Sequence, residues 1–133
     1  MEYGFKVVRK SGYLHVVVTG DNAPETVLRY LREIYEACSK FNCPSVLVEE
    51  NLEGAGLALG EIFGVVDEAS RTVWPVVQKV AYVDVNRQHD LKDMKFAETV
   101  AVNRSVNCRV FPDVSAAQTW LRESPSPLLP PSS

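Results

Sequence analysis

The sequence predicts an α/β fold: a single five-stranded mixed sheet, built from an N-terminal hairpin and parallel βα units, with four helices. Three observations predict it. Short apolar runs at residues 14–18, 46–48 and 80–85 are separated by two helix-length segments. Two strand-like segments flank the tight linker Lys10-Ser11-Gly12 near the start. The chain then closes on an apolar strand and a final amphipathic run ending at Leu121.

Residues 5–9 and 13–19 read as the hairpin strands, with Gly12 supplying a positive φ at the turn. In the second strand Leu14, Val16 and Val18 share a core face, and Tyr13, His15, Val17 and Thr19 share the other. Asn22 is the expected cap of the first helix, with Pro24 in its first turn and Glu25 three residues after the cap. That helix runs to about Phe41, with Val27, Leu28, Leu31, Ile34, Tyr35, Cys38 and Phe41 at helical spacing. Residues 45–49 form a buried strand, and residues 50–56 a loop holding two glycines. A second helix follows over roughly 57–73. Its inward residues are Leu59, Ile62, Phe63, Val66, Ala69 and Val73, and Trp74-Pro75 ends it. Residues 77–85 are the fourth strand and 86–90 a polar loop. Asp90 caps a third helix running to about Val102, with Leu91, Met94, Ala97 and Ala101 inward. Residues 107–111 are the fifth strand, and Pro112-Asp113 starts a last helix over 114–122. Residues 1–123 thus form one domain, and the Pro/Ser-rich tail 124–133 is expected to be disordered.

Composition narrows the function classes. The 133 residues match one domain, and 46% hydrophobic with 23% charged residues excludes a disordered class. A net charge of −3 argues against a nucleic-acid partner, which requires clustered Lys and Arg. No apolar stretch reaches the roughly 18 residues that span a bilayer, so no integral membrane association is expected. The N-terminus has no apolar signal core, and the expected location is the cytoplasm. Cys38, Cys43 and Cys108 give neither a disulfide framework nor zinc spacing, so no metal and no cofactor are expected.

The stretch CRVFPDVSAAQTWL at 108–121, the strand KVAYVD at 79–84, and Phe96 before the Asn103-Arg104 turn resemble the SpoIIAA-like family. These are small bacterial domains related to STAS (sulfate transporter and anti-sigma antagonist) proteins. The resemblance covers roughly residues 3–122 and implies a SpoIIAA/STAS-like fold. Phe111 and Trp120 read as core aromatics and Asp113 as a helix cap. True anti-sigma-factor antagonists carry a phosphorylatable Ser or Thr at the start of the second helix. The matching stretch here, EENLEGAGLALG at 49–60, contains neither residue, so the phosphoswitch is expected to be absent.

Two loops are candidate sites, because α/β sheets bind ligands at the carboxyl ends of strands. The first is 51–56, where Gly54 and Gly56 allow backbone approach. It is not a P-loop, and Glu49, Glu50 and Glu53 repel phosphate. An ordinary turn explains the same residues. If this region is a contact surface, the partner-binding candidates are Asn51, Glu53, Gly54, Gly56, Leu57, Glu61, Val65 and Glu68. The second loop offers Arg87, His89 and Asp90 as ligand-binding candidates, although a solvated loop with a capping aspartate also accounts for them. Glu49 and Glu50 point to opposite strand faces and cannot act together. An enzyme needs a convergent polar pocket around Arg87, His89 and Glu49, which the spacing does not supply.

The expected function is a non-catalytic protein-interaction or regulatory module without the phosphoswitch, its partner another protein or a second copy of the chain. The dimer patch is either the face bearing Tyr13, His15 and Val17 or a stripe on the second helix. The alternative is a small apolar-ligand or lipid carrier, which needs a cavity lined by residues such as Phe63, Val66, Trp74 and Tyr82.

Overall fold

The computed structural model describes residues 2–72 and 76–123. β1 (Gly4–Lys10) and β2 (Tyr13–Asp21) form the antiparallel hairpin, with Lys10 opposite Tyr13. Gly12 turns it at φ +86°, where a side chain would be strained. The chain then crosses through α1 (Pro24–Lys40) to β3 (Ser45–Glu53) and through α2 (Leu59–Thr72) to β4 (Lys79–Asp84). α3 (Leu91–Asn103) leads on to β5 (Cys108–Val110), and α4 (Val114–Glu123) follows. The strand order is β1-β2-β3-β4-β5, with β2 through β5 parallel. Successive right-handed crossovers stepping one way place α1, α2 and α3 on one face of the sheet. α4 packs on the other, against β3 and β4. Among the described residues no helix is long and apolar enough to cross a membrane. Trp74 and the tail 124–133 lie outside the described residues.

The larger core lies under α1 and α2. Leu14, Val16 and Val18 of β2 meet Val46 and Val48 of β3 and Val80 of β4, covered by Val27, Ile34, Cys38, Val65 and Ala69. On the opposite face, Tyr13, Leu47, Ala81 and Val83 pack against Ala117 of α4. Phe111 and Trp120 seal that layer with ring centroids 5.4 Å apart. The Lys79 ammonium sits 4.7 Å from the Trp120 centroid, and burial lowers its pKa. Asp113 caps α4, accepting from the Ala116 N–H at 2.8 Å.

Five local expectations are corrected. Ala23, not Asn22, occupies the N-cap of α1, without a side-chain cap. Asn22 instead ties the helix start to the β3–α2 loop: its backbone N–H donates to Glu53 O at 2.7 Å and its side-chain amide to Ala55 O at 2.8 Å. β3 runs on to Glu53, so Glu50, Asn51 and Glu53 are strand residues and the loop begins at Gly54. In α2 the buried residues are Ile62, Val65 and Ala69, while Leu59 and Phe63 are 54% and 46% exposed. The helix is apolar on two sides, and α3 decides its rotation. Arg104 donates to Asp67 at 2.9 Å and lays its guanidinium 4.8 Å from the Phe63 centroid, gripping that i, i+4 pair from outside. Leu91 is exposed in the first turn of α3, where Asp90 caps the helix by accepting from Lys92 N–H at 2.8 Å. Tyr13 is buried under α4 and so does not belong to a dimer patch.

Candidate functional site

Side chains at alternate positions of a strand share one face. In β3 that rule places Val46, Val48, Glu50 and Leu52 toward α1 to α3, and in β4 it places Val80, Tyr82 and Asp84 there. The parallel register sets Val48 beside Tyr82 and Glu50 beside Asp84. A carboxylate therefore stands in the core face of the central strand. Glu50 is 4% exposed.

Two phenols hold one of its oxygens. The hydroxyls of Tyr30, from α1, and Tyr82, from β4, both donate to Oε2 of Glu50 and lie 2.9 Å from each other. Oε1 makes no hydrogen bond among the described residues. Burial is the largest influence on this carboxyl and raises it, the tyrosine hydrogen bonds lower it, and Asp84 raises it again. The balance pushes Glu50 up to about 7. Burial and the neighbouring Glu50 carboxyl hold Tyr30 and Tyr82 well above the usual phenol range.

Asp84 is bound in turn by His89. Nδ1 lies 2.6 Å from Asp84 Oδ2, and Nε2 lies 3.0 Å from the Gly54 carbonyl oxygen. Nε2 also lies 3.4 Å from the Asn86 amide nitrogen, so the ring is held between the Asp84 carboxylate, the Gly54 carbonyl and the Asn86 amide. Burial opposes the charge, but the Asp84 and Gly54 hydrogen bonds outweigh it and raise the His89 pKa. Asn86 braces the loop from below: its amide donates to Leu52 O at 2.7 Å, and its backbone N–H donates to Asp84 Oδ1 at 2.9 Å. Gly54, at φ +109°, turns the chain out of β3 so that its carbonyl reaches the imidazole.

This cluster heads a cavity of about 130 Å³ between the sheet and α1 to α3. Its walls include Val27, Leu31, Val48, Ile62, Val65, Val66 and Val80. Tyr30, Glu50, Tyr82, Asp84 and His89 lie on its lining, together with Gly56, Asp90 and Asp93. A Cβ on Gly56 would come within 3.1 Å of Asp93 Oδ2, so the β3–α2 loop lies close against the start of α3.

Glu50, Asp84 and His89 are also spaced to offer three ligand atoms within 4.8 Å of one another. In this arrangement the His89 ring is engaged by Asp84, Gly54 and Asn86, and Glu50 by the two tyrosines.

The sequence-derived candidates divide. His89 and Asp90 line the cavity, while Arg87 is exposed and faces a shallow depression with Asn51, Glu53 and Gly54. Gly56 and Leu57 line the cavity, Glu61 and Glu68 lie on the exposed side of α2, and Glu61 accepts from Ala58 N–H at 2.9 Å. Val65 is buried and lines the cavity, which removes it as a surface contact. Glu49 does point away from Glu50, and its Oε1 lies 3.0 Å from His15 Nε2 on the opposite face. A polar convergence exists, but around Glu50 instead of Glu49. The pattern Val46, Val48, Glu50, Leu52 carried that signal, as did Tyr30 between Val27 and Ile34. Of the residues expected to line an apolar cavity, Val66 and Tyr82 do so, while Phe63 is turned outward.

A hairpin followed by parallel βα units, with three helices on one face and one on the other, defines a SpoIIAA-like fold. Solved structures agree. The chain superposes on an anti-sigma factor antagonist from Mycobacterium paratuberculosis with a TM-score of 0.57 at 11% identity, covering 92% of this chain and 96% of that one. It also superposes on an uncharacterised protein with a SpoIIAA-like fold from Shewanella loihica, with a TM-score of 0.53 at 15% identity, covering 90% and 93%. No family model and no curated protein matches the chain.

Proposed function

We propose that this protein is a non-catalytic regulatory interaction module whose contact face is the outer side of α2 with the loop before it. The observation that carries this reading is the division of α2: Ile62, Val65 and Ala69 face the core, while Leu59 and Phe63 lie exposed beside Glu61. Exposed apolar residues grouped on one helix, rimmed by charge, suit a protein contact. The similarity in fold to an anti-sigma factor antagonist supports a regulatory role. The partner is another protein or a second copy of the chain.

The chemistry of the cavity supports a non-catalytic reading. Both His89 ring nitrogens are engaged by Asp84 and Gly54, and Glu50 is held by two phenols. Burial pushes the Cys108 thiol on the wall up to about 12, so it is not a thiolate near neutral pH. Lacking Ser and Thr between Glu49 and Gly60, the module works without a phosphoswitch there.

The test is capture of partners from extract of the native host on immobilised full-length protein. Leu59→Ser and Phe63→Ser should abolish capture, and Leu59→Ser should leave the melting temperature nearly unchanged. Undiminished capture by both variants contradicts the reading. Light scattering at micromolar concentration, with the same variants, separates self-association from binding to a different protein.

The cavity favours a second reading, a carrier of small apolar ligands. A void of about 130 Å³ under α2, walled by aliphatic side chains, is the feature such a function requires.

A further inference from the structure

The charge around the cavity is one-sided. Glu50, Asp84, Asp90, Asp93 and Glu98 contribute to its lining, and among the described lining residues there is no Lys or Arg. His89 is the one described lining residue there that can carry a positive charge, and its Nδ1 lies 2.6 Å from Asp84. Glu98 has its own partners, the Val110 N–H at 3.1 Å and Lys95 at 3.5 Å. Glu50 is different. It is 4% exposed, both of its tyrosine donors sit on Oε2, and Oε1 makes no hydrogen bond among the described residues. Glu50 and Asp84 share the neighbourhood of one histidine, and that ring is hydrogen-bonded to Asp84, so an ammonium group would supply a second positive charge and a donor to Oε1. An anionic head would meet carboxylates instead.

The size of the void limits the rest of the ligand. An apolar cavity of about 150 Å³ is known to take benzene. The space here, about 130 Å³, is of that order, and Val48, Ile62, Val65, Ala69 and Val80 supply apolar walls. It has no room for a long acyl chain.

We propose that this cavity takes a small monoamine, with an apolar body about the size of a benzene ring and one ammonium group that donates to Oε1 of Glu50. This rests on the carrier reading above and adds the charge and size of the cargo. The β3–α2 loop, tied to Asn22 and His89, lies over the head group, and Ile62 and Val65 of α2 lie against its body.

The experiment is calorimetric titration of the full-length protein at pH 7.5 with four probes of similar size: benzylamine, benzyl alcohol, benzoate and toluene. The expected order is benzylamine at least tenfold tighter than benzyl alcohol or toluene, with benzoate weakest. Glu50→Gln should bring benzylamine down to the level of benzyl alcohol while leaving toluene binding intact, which also shows that the variant is folded. Toluene and benzyl alcohol binding as tightly as benzylamine, or a Glu50→Gln variant that keeps the amine preference, overturns the monoamine proposal and leaves the carrier reading standing. Benzoate binding best overturns the proposal too. Failure of all four probes to bind overturns both. If Glu50→Gln does not fold, the wild-type order alone decides.

Discussion

Glu50 and Asp84 stand side by side, paired in register across the parallel strands β3 and β4 on the sheet face that the first three helices cover. Two neighbouring carboxyl groups on a core face are electrostatically unfavourable, and the surrounding residues compensate in two ways. Asp84 is paired with His89, whose pKa that pairing raises, whereas Glu50 is held by phenols and has its pKa raised to about 7. The site's predicted behaviour follows from that asymmetry.

The first prediction concerns pH. Below about 4.5 Glu50 is protonated in both folded and unfolded chains. As pH rises toward 7 the unfolded chain releases this proton while the folded chain keeps it, so stability falls. Raising the folded pKa from 4.5 to about 7 corresponds to a loss of roughly 3 kcal/mol across that window. His89 acts in the same direction: its raised pKa contributes stability that is complete below 6.5 and is lost as pH rises through the folded value. Thermal melts of the wild type should therefore drop between pH 5 and pH 8, with a distinctly flatter profile for Glu50→Gln. Parallel profiles for the two proteins would contradict this.

The tyrosines should act as a unit. Tyr30→Phe and Tyr82→Phe each remove one donor from a buried carboxyl and should cost about 1–3 kcal/mol in denaturant unfolding. Their effects should not add, because both hydroxyls serve the same oxygen and touch each other at 2.9 Å. Simple additivity would show that the three groups are not coupled.

His89 links the sheet to the loop that carries Gly54 and Gly56. His89→Ala leaves the Asp84 carboxylate without its cation and frees the Gly54 carbonyl, at a cost of about 3 kcal/mol. Amide exchange over residues 54–58 should accelerate more than exchange in β1 or α4. Uniform acceleration across the chain would mean that the histidine does not secure the loop.

α2 should respond differently on its two sides. Leu59→Ser on the exposed side should change stability by no more than about 0.5 kcal/mol. Ile62→Ala, on the side facing the cavity, should cost about 2 kcal/mol or more. Equal costs at the two positions would mean the helix is rotated from the orientation described.

Phosphorylation gives a further prediction. With neither Ser nor Thr between Glu49 and Gly60, and with the Glu61 carboxylate already accepting from Ala58 N–H, a kinase should leave this segment unlabelled. Mass spectrometry that places phosphate there would contradict it.

Much of the fold was legible in the sequence because its elements carry one-sided patterns. Leu14, Val16 and Val18 alternate cleanly, and Pro24, Pro44 and Asp113 punctuate the helices. The site was less legible for two physical reasons. Glu50 follows Glu49 and precedes Asn51, so local polarity suggests a loop. Only pairing with β2 shows that the strand continues to Glu53. Tyr30 is compatible with either side of α1, and its role depends on Tyr82, which lies 52 residues away in the chain. The second helix misled for a related reason. Leu59 and Phe63 fit an inward stripe as well as Ile62, Val65 and Ala69 do, and the choice between them rests on Arg104 of the Asn103–Arg104 turn, which no local pattern in α2 reveals. His89 and Asp90 were recognisable as a polar cluster at a strand end, where loops on a rigid sheet carry function. Arg87, in the same cluster, faces solvent.

The most direct test is a carbon-13 NMR titration of the Glu50 side-chain carboxyl, assigned by comparison with Glu50→Gln. A desolvated carboxyl held by Tyr30 and Tyr82 at the head of the cavity should titrate with a midpoint near 7, moving higher in Tyr82→Phe. A midpoint near 4.5, unchanged by loss of the tyrosine hydroxyl, would contradict the account.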